Sequence, residues 1–465
     1  MTARSRITSR VVIWDVALGA AAAALYAFRL RNWSLWLDEA TSLYFSRHPE
    51  NVFTKLSFAY FGLLEEVLQH AGMSVLAGRT LSAGFGVANV VLVGVLVRRC
   101  TNPRAGIFAA AMFGACLFHL FWAQSIRYYT MLLTAELTAT LLLYEGVMRR
   151  SIVLLPLAGV AAAASVCVHY SALLMFPAWG FFLGMLAGNR PQLHAKSCML
   201  ATLFALLPFA AILALRYHAV HALQTAGDLG EAAGFHRVLF LLVGVGFYVG
   251  APMCLLAVVG AWLPSASWER KQLLLALAIA PIAGISFIAV FGLANVSIHH
   301  ALLAAVGLAG LAGIALDASC HHGKTWWCRT MIAAAAAYYA VWIVLYFSSM
   351  HGDRSRWREA AQALNAATSI IAHRSVELPI YSTEPLVLAY YLGVPVDDLF
   401  RQKRVRRLAQ WGDLPLNRPV WVVIDAVTLR RYEWDRLGPN AVCIATFEAR
   451  TGPRDRTVAV FRVEL

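Results

Sequence analysis

Asp38 and Glu39 stand side by side in the run Trp33-Ser34-Leu35-Trp36-Leu37-Asp38-Glu39-Ala40, just past the first long apolar stretch of the chain. Carboxylates kept at the edge of a hydrophobic bundle are costly to desolvate, and acids retained there are more often chemical than decorative. Proton transfer is the chemistry open to such a pair. The alternative, from spacing alone, is a loop acid pair that merely ends a helix.

The surrounding chain must hold these acids at a membrane surface. Of its 465 residues, 60% are hydrophobic and 14% charged, and the mean hydropathy is +0.63. Apolar stretches long enough to cross the hydrocarbon, about 20 residues each, are predicted near 11–30, 80–97, 105–122, 130–147, 152–168, 171–188, 197–215, 238–263, 272–293, 300–317 and 330–349. Each must be helical, because lipid offers the backbone no hydrogen-bond partner. The expectation is a polytopic α-helical membrane protein of about 11 transmembrane helices.

Basic residues mark alternate loops: Arg4, Arg6 and Arg10, then Arg98, Arg99 and Arg104, Arg149 and Arg150, Arg190 and Lys196, Arg270 and Lys271, and Lys324 and Arg329. By the positive-inside rule these loops face the cytoplasm. Loops 31–79, 123–129, 169–170, 216–237 and 294–299 then face outward, as does everything after 350. The first segment is expected to stay attached, since a signal-type cut after Ala27 would place the bulky Leu25 three residues before the break. The net charge of +14 follows mostly from the cytoplasmic loops, which meet anionic headgroups, and is no sign of nucleic acid. Cysteines are scattered, with Cys443 alone in the tail, so no disulfide framework is expected there. His321-His322 read as a loop pair rather than as zinc ligands. No cluster demands a metal, a divalent metal is left open, and no cofactor is required by the sequence.

Two domains are expected: residues 1–350 as the membrane part and 351–465 as a small extracytoplasmic α/β domain. In the first outer loop, 31–79, the segment 55–70 has Leu56, Ala59, Leu63, Val67 and Leu68 near helical spacing and reads as a helix lying along the membrane interface. The loop 216–237 looks partly helical, broken by Gly227, Gly230 and Gly234. In the tail, an amphipathic helix is predicted from Arg354 to Arg374, strands at Pro379–Thr383, Val420–Asp425, Cys443–Phe447 and Thr457–Val463, and helices at 384–392 and 427–437. It carries no GxGxxG or P-loop, hence no expected nucleotide site.

With the acid pair, the interfacial helix and Gly78-Arg79-Thr80-Leu81-Ser82-Ala83 entering the second span, the chain resembles the integral-membrane GT-C glycosyltransferases, in particular bacterial relatives of protein O-mannosyltransferases and lipid A aminoarabinose transferases. The stretch Phe121-Trp122-Ala123-Gln124-Ser125-Ile126-Arg127-Tyr128-Tyr129 is similar to that family's aromatic-Gln-x-x-Arg-x-Tyr signature, and Trp357-Arg358-Glu359-Ala360-Ala361 is also familiar from it. The resemblance covers residues 31–150 well and the rest by topology. It implies a GT-C-like fold, a polyprenyl-phosphate-linked sugar as donor, and a lipid, glycan or protein of the cell envelope as acceptor. It implies a bacterial inner-membrane enzyme whose site faces outward, beyond reach of cytoplasmic nucleotide sugars. Asp38 would be the base of an inverting displacement, with Glu39 in support. Arg127 would grip the donor phosphate through paired hydrogen bonds, with Tyr128 beside it. Snorkelling explains an interfacial arginine too, and an aromatic belt explains the tyrosines.

The family's His-Pro-Pro or acid-Lys-Pro element is absent: Phe58-Ala59-Tyr60-Phe61 fills its place, and His48-Pro49 comes too early. Glu65 or Glu66 could supply a second carboxylate, against the plainer reading of a solvated helix face. Where relatives often carry Arg-Tyr before a late span, this chain has His299-His300, a further candidate contact to the donor phosphate. Two other readings compete. A flippase for a lipid-linked substrate fits the many spans, and Asp15 and Glu136 are acids inside them. An inactive scaffold is the third.

Overall fold

The computed structural model describes residues 3–51, 57–72, 74–189, 235–263, 268–291, 298–321, 325–371, 378–415, 418–451 and 454–464. The expected span 197–215, most of the loop 216–237, and His322 lie outside them. The chain divides into two compact units. The first comprises Met1–Phe28, Pro49–Gly72 and Ala77–Val341; the second comprises Arg29–His48, Met73–Leu76 and Trp342–Leu465. The segment carrying Asp38 and Glu39 therefore packs with the tail.

The first unit is helical, and the chain is a multi-pass membrane protein. Among the described residues, five helices are long and apolar enough to cross a membrane: Val75–Cys100, Tyr129–Arg149, Lys271–Phe291, Ile298–Cys320 and Trp326–Phe347. Two sharply bent pairs, Pro103–Ala115 with Leu117–Ala123 at 63° and Val238–Val249 with Ala251–Trp262 at 100°, raise this to seven if each pair is one span. Shorter apolar helices cover Val12–Ala27, Leu154–Val168 and Tyr170–Leu186. Every segment predicted outside 197–215 thus coincides with an apolar helix or a bent pair, but only five to seven meet the length of a full span. The bends explain part of the difference. Cys116 is extended and interrupts the third segment. Gly250, with φ of 98°, makes the right-angled break that a side chain would oppose.

Local signals start and stop these helices in ordinary ways. Asn102 accepts a hydrogen bond from the Ala105 N–H at 3.1 Å, with Pro103 in the first turn. The helix Leu302–His321 is the most enclosed, buried nearly throughout. It is approached through small residues: a Cβ on Gly307 would strike the backbone of Ala278, and one on Gly313 that of Ala105. Lipid supplies no hydrophobic drive between helices, so such close packing is what holds the bundle. The helix expected at 55–70 forms at Phe58–Ala71, burying Tyr60, Phe61, Leu64 and Leu68 on one face.

The second unit is built on a five-stranded mixed sheet in the order β2-β1-β3-β7-β4. Its strands are β1 (Ile380–Ser382), β2 (Val405–Arg407), β3 (Val420–Asp425), β4 (Ala441–Phe447) and β7 (Val458–Val463); β5 (Arg450–Thr451) and β6 (Arg454–Asp455) make a separate ribbon. β1 pairs in parallel with both β2 and β3, whereas β7 is antiparallel to β3 and β4. Every residue of β3 is buried, as its unbroken apolar run requires of a central strand. The helix Trp357–Ile371 buries Trp357, Ala360, Ala361 and Leu364, one helical face by spacing. Expected strands and helices appear within a few residues of their predicted places. Residues 431–437 form a 3-10 helix rather than an α-helix spanning 427–437. The Asp425 carboxylate accepts the Thr428 N–H at 3.1 Å and holds a turn where that helix would have begun. β2 is unforeseen, because three residues at a sheet edge carry too little apolar pattern.

Candidate active site

Asp38 and Glu39 do not lie in a loop. They form the first turn of a short helix, Leu37–Ser46, where carboxylates meet the positive end of the helix dipole. The Ser42 and Thr41 hydroxyls donate to the Asp38 carbonyl at 2.7 and 3.0 Å, tightening that turn. The two acids have different surroundings. Asp38 is partly exposed. Glu39 is fully buried, its carboxylate 3.6 Å from the equally buried Arg354 guanidinium. Glu39 is thus an anchor in the structure, and Asp38 is the more exposed of the two acids.

The strand-like lead into this helix is held from the tail. Arg358 donates to the carbonyls of Arg31 and Trp33 at 3.3 and 3.2 Å. Its own N–H donates to the Ser34 hydroxyl at 3.2 Å, which in turn donates to Glu359 at 3.3 Å. The Leu35 N–H donates to the Tyr391 hydroxyl at 2.6 Å. The Trp-Arg-Glu-Ala-Ala run at 357–361 therefore clamps the backbone that delivers Asp38. The connection before it is unusual. His351, Gly352 and Asp353 are successive residues with φ of 48°, 65° and 55°, a conformation costly for residues with a Cβ. A Cβ on Gly352 would come within 2.8 Å of the Trp33 ring. The Arg456 guanidinium holds Asp353 at 3.0 Å.

Glu384 precedes the helix Pro385–Tyr391, past the end of β1. Burial first, then the negative charges of Asp425 and Asp38, push its carboxyl up to about 8, against the pull of Arg407. Because β1, β2 and β3 run in parallel, their carboxyl ends bring Glu384, Arg407 and Asp425 to one edge of the sheet, the edge where open parallel sheets commonly bind ligands. Nothing in the sequence singles out Glu384 beyond its position after a predicted strand.

A second cluster forms within the helical unit. Arg127 is half-buried, with its guanidinium carbon 4.8 Å from the Tyr128 ring centre and 5.9 Å from that of Tyr129. The Tyr128 hydroxyl donates to that of Tyr129 at 3.2 Å. The Tyr128 ring stacks on His169, centroids 3.9 Å apart and planes 12° from parallel. His299 lies 4.9 Å from Tyr129 and 5.1 Å from Trp122, and His300 is 6.0 Å from His169. Tyr60 of the helix Phe58–Ala71 packs edge-on to Tyr128 at 6.0 Å. Residues from four separate stretches of sequence thus converge on Arg127. The signature glutamine secures the turn that carries it: Gln124 donates to the carbonyls of Tyr26 and Phe28, both at 2.9 Å, capping the end of the first helix.

Of the candidates, Arg127, Tyr128, His299 and His300 come together. Glu65 is engaged by Gln69 on its own helix at 3.1 Å. His169 joins the cluster unforeseen; the sequence offers only a histidine in the short turn 169–170, and the stacking on Tyr128 comes from distant residues. Burial, and then the charges of His300, Arg127 and His299, hold the His169 imidazole well below its usual pKa, so it is neutral. Among the described residues no three of His, Cys, Asp or Glu gather as metal ligands.

No family model matches the chain, and no curated protein does. Solved structures do. The chain is similar over its whole length to ArnT from Cupriavidus metallidurans bound to undecaprenyl phosphate, with a TM-score of 0.55 and 16% identity, covering 96% of this chain and 98% of that one. It is similar to the Archaeoglobus fulgidus oligosaccharyltransferase in complex with zinc and sulfate, with a TM-score of 0.55, 14% identity and coverage of 88% and 68%. The archaeal oligosaccharyltransferase AglB from Archaeoglobus fulgidus, in complex with an inhibitory peptide and a dolichol-phosphate, matches with a TM-score of 0.52, 13% identity and coverage of 91% and 70%. At such identities the likeness is one of fold, and this chain shares the fold of these three structures.

Proposed function

We propose that this protein is a glycosyltransferase that moves a sugar from a polyprenyl-phosphate-linked donor to a lipid, glycan or protein of the cell envelope, on the outer face of the inner membrane. The observation that carries this reading is the convergence of Arg127, Tyr128, His169, His299 and His300 in a helical unit. The fold supports it, since ArnT with undecaprenyl phosphate and AglB with a dolichol-phosphate share that fold. A guanidinium framed by phenols and imidazoles suits an anionic oxygen group, and its paired N–H donors match a phosphate.

In this reading Asp38 takes the proton from the acceptor hydroxyl or amine. The acceptor atom bonds to the anomeric carbon from the face opposite the leaving group. The bond from that carbon to the phosphate oxygen breaks, and its electron pair leaves with the lipid phosphate. Arg127 meets the charge that develops there, so no acid is needed on the leaving side. Attack opposite the leaving group inverts the anomeric centre. Glu39 works through Arg354 by fixing the helix that presents Asp38. We place the soluble domain at 351–465 and the membrane part at 1–350.

The flippase reading draws its support from acids inside spans. Of these, Asp15 is tied to Arg98 at 2.9 Å, an ion pair that leaves it no evident transport role. Purified protein in detergent tests the choice, because nothing has to cross a bilayer there. Sugar transfer from a polyprenyl-phosphate donor supports the enzyme. Its absence across a broad donor and acceptor panel, with donor-lipid translocation in vesicles, would favour the flippase.

A further inference from the structure

His169 lies at the turn after the helix Leu154–Val168 and is 4% exposed. Its Nδ1 sits 3.1 Å from the Ser171 backbone N and 2.8 Å from the Ser171 hydroxyl. A backbone N–H can only donate, so Nδ1 is an acceptor, and the ring proton of the neutral imidazole resides on Nε2. Nε2–H has no hydrogen-bond partner among the described residues. The ring is held against that of Tyr128, which Arg127 overlies.

We infer that His169 is a ligand-binding residue, donating its Nε2–H to a phosphate oxygen held beside Arg127. The inference rests on the proposed function for the nature of the ligand and adds a residue and an atom to it. The geometry also says why a neutral histidine serves. Arg127 already supplies positive charge, and Tyr128 and Tyr170 are the phenols around the ring. A further cation would be repelled, whereas a neutral N–H adds a directional bond at no charge cost. The Ser171 contacts select the tautomer, so the donor is in place before the ligand arrives.

The test is binding, read from tryptophan fluorescence with the full-length protein in detergent, using a short-chain polyprenyl phosphate in one arm and inorganic phosphate in the other. His169→Asn retains an acceptor near the Nδ1 position for Ser171 but lacks the Nε2 donor. His169→Gln can place an N–H close to the Nε2 position. A bond to a charged oxygen predicts about 10- to 100-fold weaker binding for His169→Asn and substantial recovery in His169→Gln. The ratio between parent and His169→Asn should stay flat over about pH 6 to 8, because the histidine binds as a neutral donor. The arm in which the loss appears identifies a lipid-borne or a free phosphate as the ligand. Equal binding by parent and His169→Asn overturns the assignment while leaving the proposed function standing. Equal losses in both variants at unchanged melting temperature overturn it in favour of ring stacking alone. A ratio that climbs as pH falls overturns the neutral donor. A parent that binds neither probe contradicts the proposed function as well.

Discussion

At the scale of single residues, the two acids of the first loop part company. Their adjacency in sequence suggests a pair with one shared role, yet one is enclosed with Arg354 and the other is half-buried. The same division separates the predicted effects. Arg127→Ala should raise the apparent Michaelis constant for donor and lower turnover, because the leaving phosphate gains charge as its bond breaks. Arg127→Lys should recover part of both, having the charge without the planar fork. Steady-state kinetics with a polyprenyl-phosphate sugar checks this, and unchanged constants for Arg127→Ala would remove the residue from the site. Glu384 gives a prediction in pH. Its carboxyl is raised from the ordinary 4.5 to about 8 in the folded chain. Its contribution to stability is therefore fully present below pH 4.5 and is lost as pH rises through about 8. Glu384→Gln, which never ionises, should gain on the parent in melting temperature as pH is raised across that window. A difference that stays constant with pH would show that the carboxyl is not perturbed.

At the scale of elements, the interest lies in what positions the short helix Leu37–Ser46. It is three turns at most, too short to persist alone, and is fixed by the Arg358 clamp, the Tyr391 hydroxyl and the Glu39–Arg354 pair. Removing one member of a buried ion pair strands the other, at a typical cost of about 3–5 kcal/mol. Glu39→Gln should therefore lower stability and activity together, in proportion to how far the helix shifts. A melting temperature equal to the parent's would contradict the anchoring role. The long elements are legible in the sequence because apolar length alone announces them, and Trp357, Ala360, Ala361 and Leu364 announce the tail helix by their spacing. The short ones are not. The helix at 37–46 reads as loop because ten residues hold too few periods, although acids in a first turn followed by Ala40 and Leu43 are a usable signal. The candidate cluster divides likewise. Arg127 and Tyr128 are adjacent in a recognisable signature, and His299-His300 is a conspicuous pair. His169 and Glu384 owe their surroundings to residues far away in the chain, and no local pattern encodes that.

At the scale of the whole molecule, the chain combines a helical membrane unit carrying the Arg127 cluster with a mixed-sheet unit that includes Asp38. The alternation of basic loops predicts that a reporter fused after Arg150 reads cytoplasmic and one after Gly352 reads extracytoplasmic. The same side for both would remove the outward-facing site. The most direct test of the central claim is turnover by purified Asp38→Asn beside the parent, with a polyprenyl-phosphate sugar and acceptor in detergent, and polyprenyl-phosphate binding measured on the same samples. Loss of the base predicts transfer slower by ~10²–10⁴-fold with lipid binding retained. An Asp38→Asn protein that transfers sugar at the parent rate would contradict the assignment of Asp38 as the base.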